Sequence, residues 1–144
     1  MSVSPSALVP TPGHAEPAPL PSRRTRVLVI DDDVRLCALL RDLLESEGFL
    51  VVGANNGKAG LNLLKSRRPD LVLTDFMMPC SGGADLVRRL RGTSTMHETP
   101  VVMMSAMHPC EGLPELTEQT TAFLQKPFRC DELLRQVVDL IGTP

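Results

Sequence analysis

Three consecutive aspartates, Asp31, Asp32 and Asp33, close the apolar run "VLVI" at residues 27–30. Like charges repel, and two carboxylates ~4 Å apart cost ~4 kcal/mol at an effective dielectric near 20. A further aspartate, Asp75, follows the run "DLVLT" at 70–74. Ser105 follows "PVVMM" at 100–104, and Lys126 follows "AFLQ" at 122–125. If these runs are strands of one parallel sheet, carboxylates, a hydroxyl and an ammonium converge on a single edge. Carboxylates so crowded suit a hard divalent cation. Mg²⁺ binds through a few carboxylates and keeps several waters, which leaves positions for phosphate oxygens. Asp75, on a strand of its own, then has the chemistry of a carboxylate nucleophile towards phosphorus. The metal and Lys126 would stabilise charge on a transferring phosphoryl group.

Each residue also has a plainer explanation. Asp33 suits a helix N-cap as well as a ligand. Asp31 and Asp32 could cap too, but tandem caps are not needed. Asp75 before "FMMP" could start a turn, and serine at a strand end is ordinary. Lys126 is more telling, because lysine is scarce here beside arginine. The plain explanations compete well one at a time. They do so poorly for five residues gathered at the ends of four apolar runs.

The elements that must position these groups alternate along the chain. "RVLVI" (26–30) suits a strand covered on both faces. Leu36, Leu39, Leu40, Leu43 and Leu44 recur at helical spacing before Gly48, which supplies a stop. "FLVVGA" (49–54) predicts a second strand. Asn55, Asn56 and Gly57 predict a turn and a helix start. The helix carries Leu61, Leu63 and Leu64, is weakened by Gly60 at ~1 kcal/mol relative to alanine, and ends at Pro69. Residues 83–91 and 129–141 predict two more amphipathic helices. The stretch "HPCEGLPELTEQT", with Pro109, Gly112 and Pro114, allows only a short helix. Strands separated by helical segments imply βαβ units and a parallel sheet with helices on both faces. Such sheets bind ligands beyond the carboxyl ends of their strands.

Composition narrows the class. Hydrophobic residues make up 42% of the chain, enough for a real core, but aromatics are only 3%, so aliphatic residues and methionine must fill it. A formal charge of −2 gives no footprint for nucleic acid or an anionic membrane. Cys37, Cys80, Cys110 and Cys130 form no CxxC pair, which fits free thiols in a reducing cytoplasm better than a disulfide framework or zinc site. A redox or metal site from Cys80, Cys110 and His108 is the less economical reading. No apolar run reaches the ~20 residues of a membrane span. Residues 1–24 are proline-rich and predict a disordered tail, with the folded domain over 25–142. Arg23, Arg24 and Arg26 read as a solvated rim.

With these motifs in view, the sequence resembles the receiver domain of bacterial two-component response regulators. The motifs are "VLVIDDD", "PDLVLTDFMMPCSGG", "PVVMMSA" and "AFLQKPF", spread over roughly residues 25–142. The resemblance implies a flavodoxin-like, doubly wound five-stranded parallel sheet of order 2-1-3-4-5. It implies that Asp75 is the phosphoacceptor. Asp31 and Asp32 would hold Mg²⁺ with Asp75 and the backbone carbonyl of Met77. Ser105 would be the switch hydroxyl, followed by the small Ala106, and Phe123 the switch aromatic. Lys126 would contact the phosphoryl group, with a cis peptide bond to Pro127. The chain departs from the family pattern at Thr121-Ala122, where Gly-Ala is usual, and at Gly82, where an acid is usual.

The function so implied is a phosphorylation-controlled cytoplasmic signalling module, not an enzyme acting on a separate substrate. A sensor histidine kinase or phosphotransfer protein would donate the phosphoryl group. An unidentified downstream protein would read the result, and a phosphorylation-dependent dimer stays open. With the chain ending at Pro144, no DNA-binding segment is expected. Among the alternatives, a haloacid-dehalogenase-like phosphatase uses a DxDx[TV] pattern after the first strand, where this chain reads Asp31-Asp32-Asp33-Val34-Arg35. A flavodoxin needs a phosphate loop there, and the acidic cluster would repel phosphate. A non-phosphorylated receiver-like scaffold would not need all five site residues.

Overall fold

The computed structural model describes residues 23–78, 82–106 and 119–144. The described elements run β1 (Arg26–Ile30), α1 (Val34–Ser46), β2 (Leu50–Ala54), α2 (Gly57–Arg67), β3 (Leu71–Asp75), α3 (Gly83–Arg91), β4 (Val101–Ser105), β5 (Ala122–Gln125) and α4 (Cys130–Ile141). The strands form one sheet of order β2-β1-β3-β4-β5, and every neighbouring pair is parallel. This is the flavodoxin-like order implied by the resemblance. The chain reverses its direction of travel across the sheet between β1 and β3. The acids at the ends of those two strands therefore sit at the topological switch point.

Alternate residues of each strand face opposite sides. Val27 and Val29 of β1 meet Leu40 and Leu44 of α1 and Leu133 and Val137 of α4 in one core. Leu28 and Ile30 meet Leu64 of α2 and Leu86 and Leu90 of α3 in the other. Because both faces are covered, the strands are continuous apolar runs without a polar alternation.

Helix ends obey their local chemistry. Asp33 caps α1, its carboxylate accepting from the N–H groups of Arg35 (3.0 Å) and Leu36 (3.2 Å). Asn56 caps α2 by accepting from Ala59 N–H at 2.7 Å. After α1 the chain turns at Gly48, with φ of 104°. Arg68 closes α2 in the left-handed region at φ 46°, immediately before Pro69. Gly60, a weakness on propensity alone, has a packing reason. A Cβ there would lie 2.6 Å from Cδ1 of buried Ile30, so glycine lets α2 approach β1 closely.

The boundaries shift in two informative places. β3 and β4 each end one residue later than expected, so Asp75 and Ser105 are the last strand residues and not the first loop residues. The Arg23–Arg26 cluster is more than a solvated rim: Arg23 pairs with Asp70 at 2.6 Å, and Arg26 bonds Asp70 through its backbone N–H and Arg67 through its guanidinium. Residues 1–22, Cys80, His108, Cys110 and the short helix expected near Pro114 lie outside the described residues.

Candidate functional site

The site is built on the carboxyl ends of β1, β3, β4 and β5. Asp31 extends β1 by one step, its N–H bonding the Ala54 carbonyl at 3.1 Å. It is fully buried, and both its carboxylate oxygens are engaged. Oδ1 accepts from Asp33 N–H at 2.9 Å and Oδ2 from Lys126 Nζ at 2.8 Å. Its carbonyl accepts from Asn55 Nδ2 at 3.3 Å and Cys37 Sγ at 3.2 Å. Asn55, which the sequence marks only as a turn residue, thus helps to fix the backbone beneath the acidic run. Asp32 is exposed, whereas Asp33 is committed to the cap.

Asp75 closes β3 and is buried. Its carboxylate stands 3.5 Å from Lys126 Nζ. Asp31, Asp32 and Asp75 each offer an oxygen within 4.8 Å of the others. Burial, then the charge of Asp31, push the Asp75 carboxyl above the usual carboxylate range; Lys126 and the Met77 N–H pull it back only in part. For Lys126, burial alone would lower the ammonium, but its hydrogen bond to Asp31 and the charges of Asp31 and Asp75 outweigh this, leaving it raised. Two of the three carboxylates, Asp31 and Asp75, thus share one ammonium. Hard oxygen donors with excess negative charge fit a divalent cation of the Mg²⁺ type.

Lys126 is set by the edge of the sheet. Its N–H bonds the Ser105 carbonyl at 2.7 Å, and the next peptide bond, to Pro127, is cis as expected. Ser105 is buried at the end of β4. Phe123 is half-buried on β5, in register with Met103. Met77 lies just beyond β3 with its side chain mostly exposed. All the predicted site residues therefore lie along one edge, except Phe123, which sits two residues back from the Ser105–Gln125 register, beside Met103 of β4.

Two further residues brace the sheet: Gly83, inside a quoted motif, supports the site's edge, and Arg91, outside every motif, secures the opposite, amino-terminal ends of β4 and β5. Gly83 opens α3 against β3: a Cβ there would lie 2.5 Å from the Asp75 carbonyl oxygen and 2.9 Å from Met103 Sδ. Gly83→Ala should therefore push α3 away from Asp75 and cost about 1–3 kcal/mol, typical of overpacking. Gly82→Ala, with only the Phe76 carbonyl at 3.1 Å, should cost clearly less. Urea unfolding of the two variants checks the order. The second residue is Arg91. Its guanidinium donates to the carbonyls of His97 (2.8 Å), Thr99 (2.7 Å) and Gln119 (2.9 Å), tying the end of α3 to the approaches of β4 and β5.

A doubly wound parallel sheet that gathers three carboxylates and a lysine at its switch point defines an α/β domain with an acidic site at the carboxyl ends of its strands. The chain belongs to the response regulator receiver domain family, whose model matches residues 27–138. It is 39% identical over 113 residues to the transcriptional regulatory protein CpxR of Escherichia coli (strain K12), covering 78% of this chain and 47% of that protein. It is 35% identical over 140 residues to the sensor histidine kinase TmoS of Ectopseudomonas mendocina, covering 94% of this chain and 14% of TmoS. Among solved structures, the receiver domain of the Francisella response regulator 1452 superposes with a TM-score of 0.74 at 32% identity, covering 81% of this chain and 96% of that one. The chain spans about half the length of CpxR. It is a two-component signalling module. No helix among the described residues is long and apolar enough to cross a membrane.

Proposed function

We propose that Asp75 accepts a phosphoryl group from a sensor histidine kinase or phosphotransfer protein, and that the chain signals by protein contact. One observation carries this reading. The Asp75 carboxylate ends β3 within 4.8 Å of Asp31 and Asp32 and 3.5 Å from Lys126. An Asp75 oxygen attacks phosphorus while the donor's nitrogen leaves with the bonding pair. Asp31, Asp32, Asp75 and the Met77 carbonyl would hold Mg²⁺, which when bound supplies neutralisation of the phosphoryl oxygens. Lys126 orients the group from the other side, and the Met77 N–H orients the Asp75 carboxylate. The residues act on the chain's own aspartate, so it is a phosphoacceptor and not an enzyme turning over a separate substrate.

The new charge can then be read at the surface. Phosphorylation adds up to about two negative charges and strong acceptor oxygens. Ser105 turns towards them, and Phe123 moves into the space released. The face of β5 and its flanking elements changes shape, a shift between two packings. We take the signalling unit as residues 25–142, acting in the cytoplasm, where the free thiols Cys37 and Cys130 suit reducing conditions. The reading is tested by phosphotransfer from a panel of autophosphorylated histidine kinases. Label should move to the chain with at least one kinase in Mg²⁺ and stay behind in EDTA. Transfer to none, with no labelling by acetyl phosphate either, would favour a scaffold.

The acidic run divides its labour. Asp32→Asn should weaken Mg²⁺ binding more than about tenfold, equivalent to ~1.4 kcal/mol. Asp33→Ala should leave Mg²⁺ binding intact and cost about 1 kcal/mol of stability by removing the cap of α1. Calorimetric Mg²⁺ titration beside urea unfolding separates the two. Loss of metal binding in Asp33→Ala would shift the assignment by one residue.

A further inference from the structure

A groove runs between α2 and α3, on the face of the sheet opposite α1 and α4. Two cavities, about 310 Å³ and 230 Å³, lie end to end along it and share Leu61 and Arg89. The first also reaches Lys58 and Leu86, and the second Lys65 and Met96. Leu61 is half-buried, and Leu86 and Met96 form a buried apolar floor. Lys58, Lys65 and Arg89 are exposed along the rim.

The charge of this face is opposite to that of the chain, which is formally −2. α2 holds Lys58, Lys65 and Arg67 and no acid. The acid of α3 is Asp85, which pairs with Arg89 at 3.1 Å. Neither Lys58 nor Lys65 is in an ion pair among the described residues. These two lysines are two helical turns apart, ~10.5 Å along the axis. An apolar floor edged by the lysines of α2 recognises an apolar stripe flanked by acids. A nucleic acid would gain from the lysines, but the floor offers no aromatic ring for stacking.

We propose that the α2–α3 groove docks an acidic amphipathic helix of a partner protein. Its leucine-type stripe lies on Leu61, and carboxylates seven residues apart meet Lys58 and Lys65. The groove belongs to no part of the phosphoryl site, so the docking does not need Asp75.

The test is amide chemical-shift titration of the full chain with a synthetic helical peptide. The peptide carries one leucine stripe flanked by glutamates seven residues apart. Shifts are expected along α2 and α3, in wild type and equally in Asp75→Asn. The double variant Lys58→Glu, Lys65→Glu changes only exposed side chains, and it should bind at least tenfold more weakly. The same peptide with lysines in place of its glutamates should regain binding to that variant. A shuffled peptide of equal charge and a single-stranded oligonucleotide should both bind weakly. The proposal is overturned if the designed peptide leaves α2 and α3 unshifted, or if either control binds as well as it does. Unchanged affinity in the double variant would also overturn it.

Discussion

Asp75→Asn should abolish phosphorylation of the chain by acetyl phosphate in Mg²⁺, while making the metal-free protein more stable. Both results come from one crowded carboxylate. Intact mass should show one added phosphoryl group in wild type and none in the variant. Equal labelling of both would falsify the assignment. The stability gain has a defined pH dependence. The folded protein raises the Asp75 carboxyl above its ordinary range, by burial first and by the charge of Asp31 second. The folded state therefore binds the proton more tightly than the unfolded chain does. Stability due to this group is present at acid pH and is lost as pH rises from the ordinary carboxylate range through the raised one. At neutral pH the ionised Asp75 is a cost, and the amide removes it. Asp75→Asn should gain about 0.5–2 kcal/mol at pH 7, the usual scale for relieving a functional-site conflict. The gain should vanish below the carboxylate range, where wild-type Asp75 is already neutral. Saturating Mg²⁺ should narrow it too, because the cation stabilises the wild-type charge. Urea unfolding across pH, with and without Mg²⁺, measures each arm. A pH-independent gain would assign the effect to something other than charge.

The groups at the strand ends are legible in the sequence because buried parallel strands are short apolar runs, and a polar residue closing such a run is conspicuous. The same burial hides the strand limits. With both faces covered there is no alternation to mark where β3 and β4 stop, so pattern alone places Asp75 and Ser105 one step outside them. Glycines mislead for a different reason. Gly60 carries a local penalty that any propensity scale reports, but the closeness of Ile30 is a property of the packed pair. Gly83 likewise shows its meaning only against the Asp75 carbonyl. Asn55 and Arg91 bond backbone carbonyls, which every residue possesses, so no sequence pattern points to their partners. The acids are visible as acids. Their division between acidic cluster and cap needs the placement of each side chain: Asp33 turns back to the N–H groups of Arg35 and Leu36, and Asp32 keeps an oxygen within 4.8 Å of those of Asp31 and Asp75.

Lys126→Ala should permit phosphorylation of Asp75 but silence its readout, at a large cost to the metal-free fold. Lys126 Nζ lies 2.8 Å from the Asp31 carboxylate and 3.5 Å from that of Asp75. The Asp31 side chain is 1% exposed, so removing the ammonium leaves a buried carboxylate with Asp33 N–H as its other donor. Breaking a fully buried pair this way costs about 3–5 kcal/mol, and a lysine side chain 25% exposed softens that to roughly 2–3 kcal/mol. The pair's contribution also has a pH signature. The lysine is raised in the fold, so its stabilisation is complete below the ordinary lysine value and is lost as pH climbs through the raised one. The difference between wild type and variant should therefore shrink only at strongly alkaline pH. Mg²⁺ should recover much of the loss, since a cation among the same carboxylates answers the same charge. With Mg²⁺ present, Asp75 keeps its nucleophilic oxygen, and intact mass should still show the added phosphoryl group. The lysine's second contribution is then missing. It is anchored through its N–H to the Ser105 carbonyl, so it ties the phosphoryl site to the ends of β4 and β5. Amide shifts around Phe123 and β5 should respond to phosphorylation in wild type and hardly at all in Lys126→Ala. A full response in the variant would show that the switch is driven by Ser105 without the lysine.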